Sequence, residues 1–126
     1  KDAIAQMSLD NVLSKSDIIS IHLPLNADTE NIIDFSALQK LKPHSVLVNT
    51  ARGGIVNESD LKDFLITHLD VFAAFDVFKE EPVEEHSLFS LTNFFGTSHR
   101  SSLTYEGINS MGLAAIKGLD DNIEIN

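Results

Sequence analysis

Apolar and polar residues follow two different periods along the chain, and these periods predict strands and helices in alternation. Short apolar runs predict buried strands at Ile18–Ile21, Ser45–Thr50, Val71–Val77 and Phe94–Thr97. Apolar residues at helical spacing predict helices at Ser8–Leu13, Phe35–Leu41, Glu58–Thr67 and Tyr105–Leu119. Strands that alternate with helices are typical of parallel βαβ units, so we expect an α/β fold with a doubly wound parallel sheet and flanking helices.

Composition narrows the classes of protein that this chain can belong to. Its 126 residues suit one domain, and the absence of cysteine excludes disulfides and thiolate metal sites. No apolar run is long enough to cross a bilayer and no signal peptide is visible, so we expect a cytoplasmic protein. The net charge of −10 argues against binding to nucleic acid or to an anionic membrane. Because the first residue is Lys1 and not Met, we expect a piece of a longer protein, although N-terminal processing would give the same start.

Polar residues occur at the carboxyl ends of the predicted strands or in the loops just after them. They are His22 and Pro24, Thr50 to Arg52, Asp76, Glu81 and His99. In a parallel sheet these ends lie along one edge, where open α/β sheets bind their ligands. The sequence therefore predicts that these residues converge on one crevice.

The turn after the second predicted strand carries the most specific signal. Arg52 follows the apolar run directly and precedes Gly53 and Gly54, which permit a positive φ and a close approach of the backbone to a ligand. Asn57 then reads as the N-cap of the next helix. Read alone, Arg52 is equally consistent with a surface arginine in a loop, and only the remaining strand ends favour a binding role.

An arginine, a carboxylate and a histidine in one crevice can act on a 2-hydroxy or 2-oxo acid. Arg52 can hold a substrate carboxylate through paired N–H bonds, and His99 can take or give the proton of the C2 hydroxyl. Glu81 can fix the tautomer of that imidazole. A cofactor must exchange the hydride, because no side chain can accept one. The alternatives remain open, since His99 also fits a surface helix cap and Glu81 a solvated loop acid. The spacing of the histidines predicts no metal site.

These motifs resemble the D-isomer-specific 2-hydroxyacid dehydrogenase family, from about Leu9 to Asp121. The segment from Ser16 to Thr29 is similar to the family's SDxxxxHxPxxxxT pattern, and LKPHSVLVNTARGGIVN to its LKxxxxxVNxxRGxxV pattern. DVFKEEP resembles DVFxxEP, and Thr97-Ser98-His99 resembles TPH. The resemblance implies a Rossmann-type sheet, the cofactor NAD or NADP, and a homodimer.

The resemblance also implies roles for individual residues. It assigns catalysis of hydride transfer between the cofactor and a small 2-hydroxy or 2-oxo acid to Arg52, Glu81 and His99. It assigns cofactor binding to His22, Pro24, Thr29, Thr50, Ala51, Arg52, Asp76 and His99. Two departures stand against the family pattern. Ser98, Arg100, Ser101 and Ser102 replace its usual proline and glycines, and no GxGxxG precedes Ile18.

We therefore interpret residues 1–126 as the carboxyl-terminal part of a dinucleotide-binding domain, the second half of its sheet, without the GxGxxG unit or a substrate domain. The isolated piece is expected to be inactive. A non-catalytic scaffold of the same fold, sensing NAD(H) or binding a protein, is the alternative hypothesis.

Overall fold

A four-stranded parallel sheet forms the centre of the computed structural model, which describes residues 5–100 and 102–121. The strands occur in the spatial order β1-β2-β3-β4. The elements in chain order are α1 (Leu9–Lys15), β1 (Ile18–Ile21), α2 (Phe35–Leu38), β2 (Val46–Asn49), α3 (Glu58–Thr67), β3 (Phe72–Phe75), a 3-10 helix (Ser87–Ser90), β4 (Phe94–Gly96) and α4 (Tyr105–Asp121). The predicted α/β fold is confirmed, and the predicted elements all form within a few residues of their expected bounds.

Side chains cap the helices at the positions that the sequence indicates. The Ser8 hydroxyl accepts the N–H of Asn11 at the start of α1, and Asn57 Oδ1 accepts the N–H of Asp60 at 3.1 Å. Thr104 likewise accepts the N–H of Gly107, at 3.0 Å, in the first turn of α4. These bonds satisfy donors that a helix leaves free at its first turn, and so they fix where each helix begins.

The helices between the strands pack on one face of the sheet, because the strands advance in a single direction. Each crossover between parallel strands is right-handed, so successive crossovers in one direction place their helices on the same side. Two rows of neighbouring side chains across the sheet face these helices: Ile19, Leu47, Ala73 and Phe94 in one row, and Ile21, Asn49 and Phe75 in the next. The apolar members of these rows form the core with Leu38, Leu61, Phe64 and Leu65 of α2 and α3, and Asn49 is a buried polar residue beside them.

The opposite face of the sheet is open. Ile18 is 70% exposed and Phe95 is 59% exposed, and Val46 and Val48 are half-buried on the same face. The strand predicted at Ile18–Ile21 forms, but the prediction that it is buried is wrong for one face, because exposed and buried residues alternate along it. The physical reason is the single direction of winding, which leaves no crossover helix of residues 5–100 and 102–121 to cover this face.

Helix α4 forms as the sequence predicts but exposes its apolar side chains. Those of Tyr105, Ile108, Met111, Leu113, Ile116 and Leu119 are all at least half exposed. Their helical spacing therefore predicts the helix correctly. It does not predict burial, because these side chains are exposed within the described part of the chain. Between β3 and β4 the chain forms the 3-10 helix instead of an α-helix, and its Leu88 is fully buried.

Candidate active site

A buried asparagine shapes the turn that carries Arg52. Asn49 is the last residue of β2 and is 1% exposed. Its Oδ1 accepts the N–H of Ala51 at 3.1 Å and its Nδ2 donates to the carbonyl of Arg52 at 3.0 Å. One amide thus satisfies both polar ends of the turn at the carboxyl edge of the sheet. The sequence interpretation gave Asn49 no role, although a polar residue at the end of an apolar run is a usable signal.

Arg52 itself is exposed and points its guanidinium back along the chain. Its Nη1 donates to the carbonyl of Ala51 at 2.7 Å. The next residue, Gly53, packs so tightly that an added Cβ would lie 1.9 Å from the carbonyl carbon of Phe78. Gly54 has φ +80°, which confirms the expected positive φ at one of the two glycines. The Arg52 turn therefore rests directly on the backbone that leads into the Glu81 loop.

A cleft of about 660 Å³ lies between the loops that follow β1 and β2. Its lining consists of His22, Leu23, Pro24, Leu25, Thr50, Ala51 and Arg52. Backbone bonds fasten the two loops together: Asn31 N–H to the carbonyl of Gly54 at 2.8 Å, and Ile33 N–H to that of Ile55 at 3.2 Å. The volume is within the range of small-molecule sites. Five of the residues expected to bind cofactor therefore share one cleft.

Thr29 supports this cleft without lining it. Its hydroxyl donates to the carbonyl of Pro24 at 2.6 Å and accepts the N–H of Asn26 at 2.9 Å. These bonds hold the turn that follows His22, whose Nε2 is 2.8 Å from the hydroxyl of Ser20. The geometry thus supports a positioning role for Thr29 more directly than contact with a ligand.

Asp76 is buried just past β3 and holds the turn that carries His99. Its carboxylate accepts the hydroxyl of Thr97 and, at 2.7 Å, the N–H of Arg100. Its own carbonyl accepts the N–H of His99 at 2.7 Å. His99 has φ +51°, a conformation that non-glycine residues rarely adopt. Asp76 therefore acts in this structure as the anchor of the histidine turn.

Glu81 and His99 form a hydrogen-bonded pair. Glu81 Oε2 lies 2.7 Å from His99 Nδ1, and Glu81 Oε1 accepts the N–H of Phe78 at 3.1 Å. The bond to His99 is the main reason that the pKa of Glu81 lies below its ordinary value, and the Phe78 N–H acts in the same direction. Partial burial and the charge of Asp76 oppose this shift. In the tautomer whose Nδ1–H donates a hydrogen bond to the Glu81 carboxylate, Nε2 carries the lone pair that proton transfer requires.

The predicted site residues occupy two clefts rather than one. Glu81 and His99 line a cleft of about 240 Å³ with Pro82, Val83 and Ser98, whereas Arg52 lines the larger cleft. A shallow hollow of about 150 Å³ lies on the strand ends between them, where Thr50, Asp76 and Thr97 meet. The expectation of a single crevice is therefore wrong for residues 5–100 and 102–121. The two clefts and the hollow nevertheless all lie at the carboxyl edge of the sheet.

The serines that depart from the family pattern have different surroundings. Ser98 lines the same cleft as His99. The backbone N–H of Arg100 bonds to Asp76, and Ser102 is exposed. Ser101 lies outside the described residues.

Within the ranges 5–100 and 102–121, no group of three or more His, Cys, Asp or Glu side chains could hold a metal ion. Among these residues there is also no helix with the length and apolar character that a membrane span requires.

Comparison with known proteins gives matches over most of the chain. Residues 1–101 match the family described as D-isomer specific 2-hydroxyacid dehydrogenase, NAD binding domain. D-3-phosphoglycerate dehydrogenase from Mycobacterium tuberculosis (strain ATCC 25618 / H37Rv) is 39% identical over 109 residues, which are 86% of this chain and 21% of that protein. The chain spans between about a fifth and about a third of the length of the curated relatives that it matches.

Two solved structures show the same fold. A glyoxylate reductase from Paecilomyes thermophila matches with a TM-score of 0.84 and 35% identity, over 94% of this chain and 36% of that one. An acyclic imino acid reductase in complex with NADPH and D-Arg also matches with a TM-score of 0.84, at 30% identity, over 93% of this chain and 38% of that one. The solved chains thus extend well beyond the part that this chain matches.

Proposed function

We propose a function from one premise, that this chain belongs to the D-isomer-specific 2-hydroxyacid dehydrogenase family. The chain is the carboxyl-terminal part of the cofactor domain of an NAD(P)-dependent oxidoreductase. The full protein exchanges a hydride between the cofactor and a small D-2-hydroxy or 2-oxo acid. The observation that carries this proposal is the 2.7 Å bond between Glu81 and His99 at the carboxyl edge of a parallel sheet. That is the arrangement a general acid–base pair requires.

The cleft between His22–Leu25 and Thr50–Arg52 fits the nicotinamide end of the cofactor. It lies at the carboxyl ends of neighbouring parallel strands, and backbone bonds fasten its two loops to each other. When bound, the nicotinamide supplies the position that accepts or donates the hydride. His22, Pro24, Thr50, Ala51 and Arg52 would hold it, with Thr29 and Asp76 supporting the loops around it.

Arg52, Glu81 and His99 divide the remaining work among them. Arg52 must turn its guanidinium from the Ala51 carbonyl to the substrate carboxylate, where two parallel N–H bonds fix the orientation of C2. His99 Nε2 takes the proton of the C2 hydroxyl as the alcohol is oxidised, and returns it in the reverse direction. Glu81 stays ionised, accepts the hydrogen bond of the His99 Nδ1–H and stabilises the imidazolium. This last role agrees with its lowered pKa.

The full protein acts as a homodimer in the cytoplasm in this proposal. The exposed edge of β1 and the exposed apolar residues of α4 are surfaces that a second subunit or the rest of the protein can cover. A cytoplasmic location gives the reaction access to the nicotinamide pool of the cell. Sedimentation of the full-length protein and cell fractionation test these two statements.

An assay of the full-length protein tests the proposed activity. NADH and NADPH are offered with glyoxylate, hydroxypyruvate and pyruvate, and the loss of the reduced cofactor is followed by absorbance. We expect oxidation with at least one acid, and a fall in kcat of about 10²-fold or more in His99→Gln. Binding of NADH without turnover of any 2-oxo acid would instead support the non-catalytic scaffold.

A further inference from the structure

Glu58, the first residue of α3, contacts both ends of the loop that carries Glu81. Its Oε1 accepts the backbone N–H of Lys79 at 2.7 Å, and its Oε2 lies 3.1 Å from Nε2 of His86. Lys79 precedes Glu81 in the chain and His86 follows it. The Glu58 side chain is only 14% exposed, so solvent competes weakly for these bonds. One carboxylate thereby closes the loop.

The surroundings of His86 show which way its bond to Glu58 runs. The Nδ1 atom accepts the N–H of Leu88 at 3.3 Å, so the ring proton is on Nε2 and is donated to Glu58. The imidazole also packs against the rings of Phe78 and Phe89, with centroids 5.2 Å and 6.1 Å away. His86 is therefore a fixed anchor for the far end of the loop, and Lys79 is the near one.

We propose that Glu58 is a positioning residue, which ties both ends of this loop and so keeps the Glu81 carboxylate against the His99 imidazole. The inference rests on the proposed function for its catalytic meaning, while the contact itself can be tested without turnover. Glu81 needs such support because its side chain is 34% exposed and most of its loop is exposed too. The Glu81 carboxylate itself bonds to the Phe78 N–H and to His99, and Val83 packs the middle of the loop against the core, so Glu58 adds the polar ties at the two ends of the loop.

Asp60 provides a matched control in the same first turn of α3. Its Oδ2 accepts the backbone N–H of Phe35 at 2.9 Å, so it also ties a helix start to another segment, but not to the Glu81 loop. Loss of either carboxylate removes a similar favourable charge at the helix N-terminus. A difference between Glu58→Ala and Asp60→Ala therefore reports the loop contact rather than the stability of α3.

The titration of Glu81 measures the contact directly, by carboxyl ¹³C NMR of the 126-residue chain. Loss of the bond to His99 raises the pKa of Glu81, whereas removal of a neighbouring negative charge lowers it. The two effects on the pKa of Glu81 have opposite signs. The other side chains that influence this pKa are His99 and Asp76, and both are unchanged in the Glu58 variants. We expect the midpoint in Glu58→Ala to rise most of the way to that in His99→Ala, and the midpoint in Asp60→Ala to equal the wild-type value.

Glu58→Gln keeps the size of the side chain and one acceptor oxygen. It therefore tests the role of Glu58 if the alanine variant does not fold. We expect a rise in the same direction and of smaller size. In the full-length protein, Glu58→Ala lowers kcat by about 10- to 100-fold with KM for the 2-oxo acid little changed, because the acid–base pair is misplaced. A folded Glu58 variant with an unchanged or lowered Glu81 midpoint overturns the proposal. If wild type instead oxidises no cofactor, the proposed function fails and the titration still decides the role of Glu58.

Discussion

Gly53→Ala tests whether the Arg52 turn and the Glu81 loop are joined by direct backbone packing. The added methyl group would lie 1.9 Å from the carbonyl carbon of Phe78, 2.0 Å from its oxygen and 2.4 Å from the nitrogen of Lys79. These are backbone atoms, so no side-chain rotation can relieve the overlap. The two segments must separate by about 1.5 Å to restore an ordinary contact.

The expected cost follows from the cost of overpacking. Additional methyl groups in well-packed regions destabilise proteins by about 1–3 kcal/mol, and the backbone partners place this case toward the upper part of that range. Gly112→Ala is the matched control, since nothing lies within 4 Å of its added Cβ in the exposed part of α4. Alanine is the better helix former there, so we expect that variant to gain up to about 1 kcal/mol.

Urea denaturation of the 126-residue chain measures both variants against wild type. We expect Gly53→Ala to lower the free energy of unfolding with little change in the m-value. In the full-length protein the same variant should also lower kcat, because the displaced Phe78 donates its N–H to Glu81. A Gly53→Ala chain as stable as wild type within about 0.5 kcal/mol would refute the close packing.

Three further outcomes are expected. In the full-length protein, Arg52→Lys keeps the charge but loses the two-pronged geometry, so kcat/KM falls by at least tenfold, about 1.4 kcal/mol, while NADH binding is nearly intact; a smaller fall contradicts the orienting role. The pKa of Glu81 is lowered from 4.5, so its bond to His99 stabilises the fold above pH 4.5 and is lost as the pH falls through the lowered pKa. The free energies of unfolding of wild type and Glu81→Gln should therefore converge in acid. A difference that stays constant with pH would count against the bond. The chain should self-associate in sedimentation equilibrium at about 0.15 M salt, through α4 or through the edge of β1, which pairs with no other strand of residues 5–100 and 102–121. A clean monomer with cooperative unfolding would show that these surfaces need no cover.

The sequence predicted the elements from local signals, and it predicted the contact between Glu81 and His99 from the order of the strands. Ser8 and Asn57 cap helices through bonds to residues three positions along, which a reader of the sequence can see. Glu81 and His99 lie in the loops that follow the consecutive strands β3 and β4, and parallel pairing brings the carboxyl ends of such strands to one edge. Their 2.7 Å contact therefore follows from strand order and the chemistry of the two side chains.

Other features of the site depend on contacts that no local pattern encodes. The bonds of Glu58 to Lys79 and His86 join residues far apart in the sequence, and Glu58 alone reads as a helix-start acid. Likewise, Ile18 and Ile19 are identical in type, yet one is 70% exposed and the other 6%. Side chains alternate along a strand, so only one of these two isoleucines faces the helices. The apolar run itself gives no sign that the other face of the sheet is open.

A few short-range contacts connect the backbone of the Arg52 turn with that of the Glu81 loop, and so they connect the two clefts. Gly53 presses the turn of Arg52 against Phe78, whose N–H in turn holds Glu81. Glu58 starts the helix that follows the same turn and closes the Glu81 loop from the other side. A substrate carboxylate on Arg52 and a hydroxyl on His99 must be held at a fixed separation for hydride transfer to occur. A separation set by backbone packing is stiffer than one set by exposed side chains, so in the proposed reaction Gly53 would act through geometry rather than chemistry.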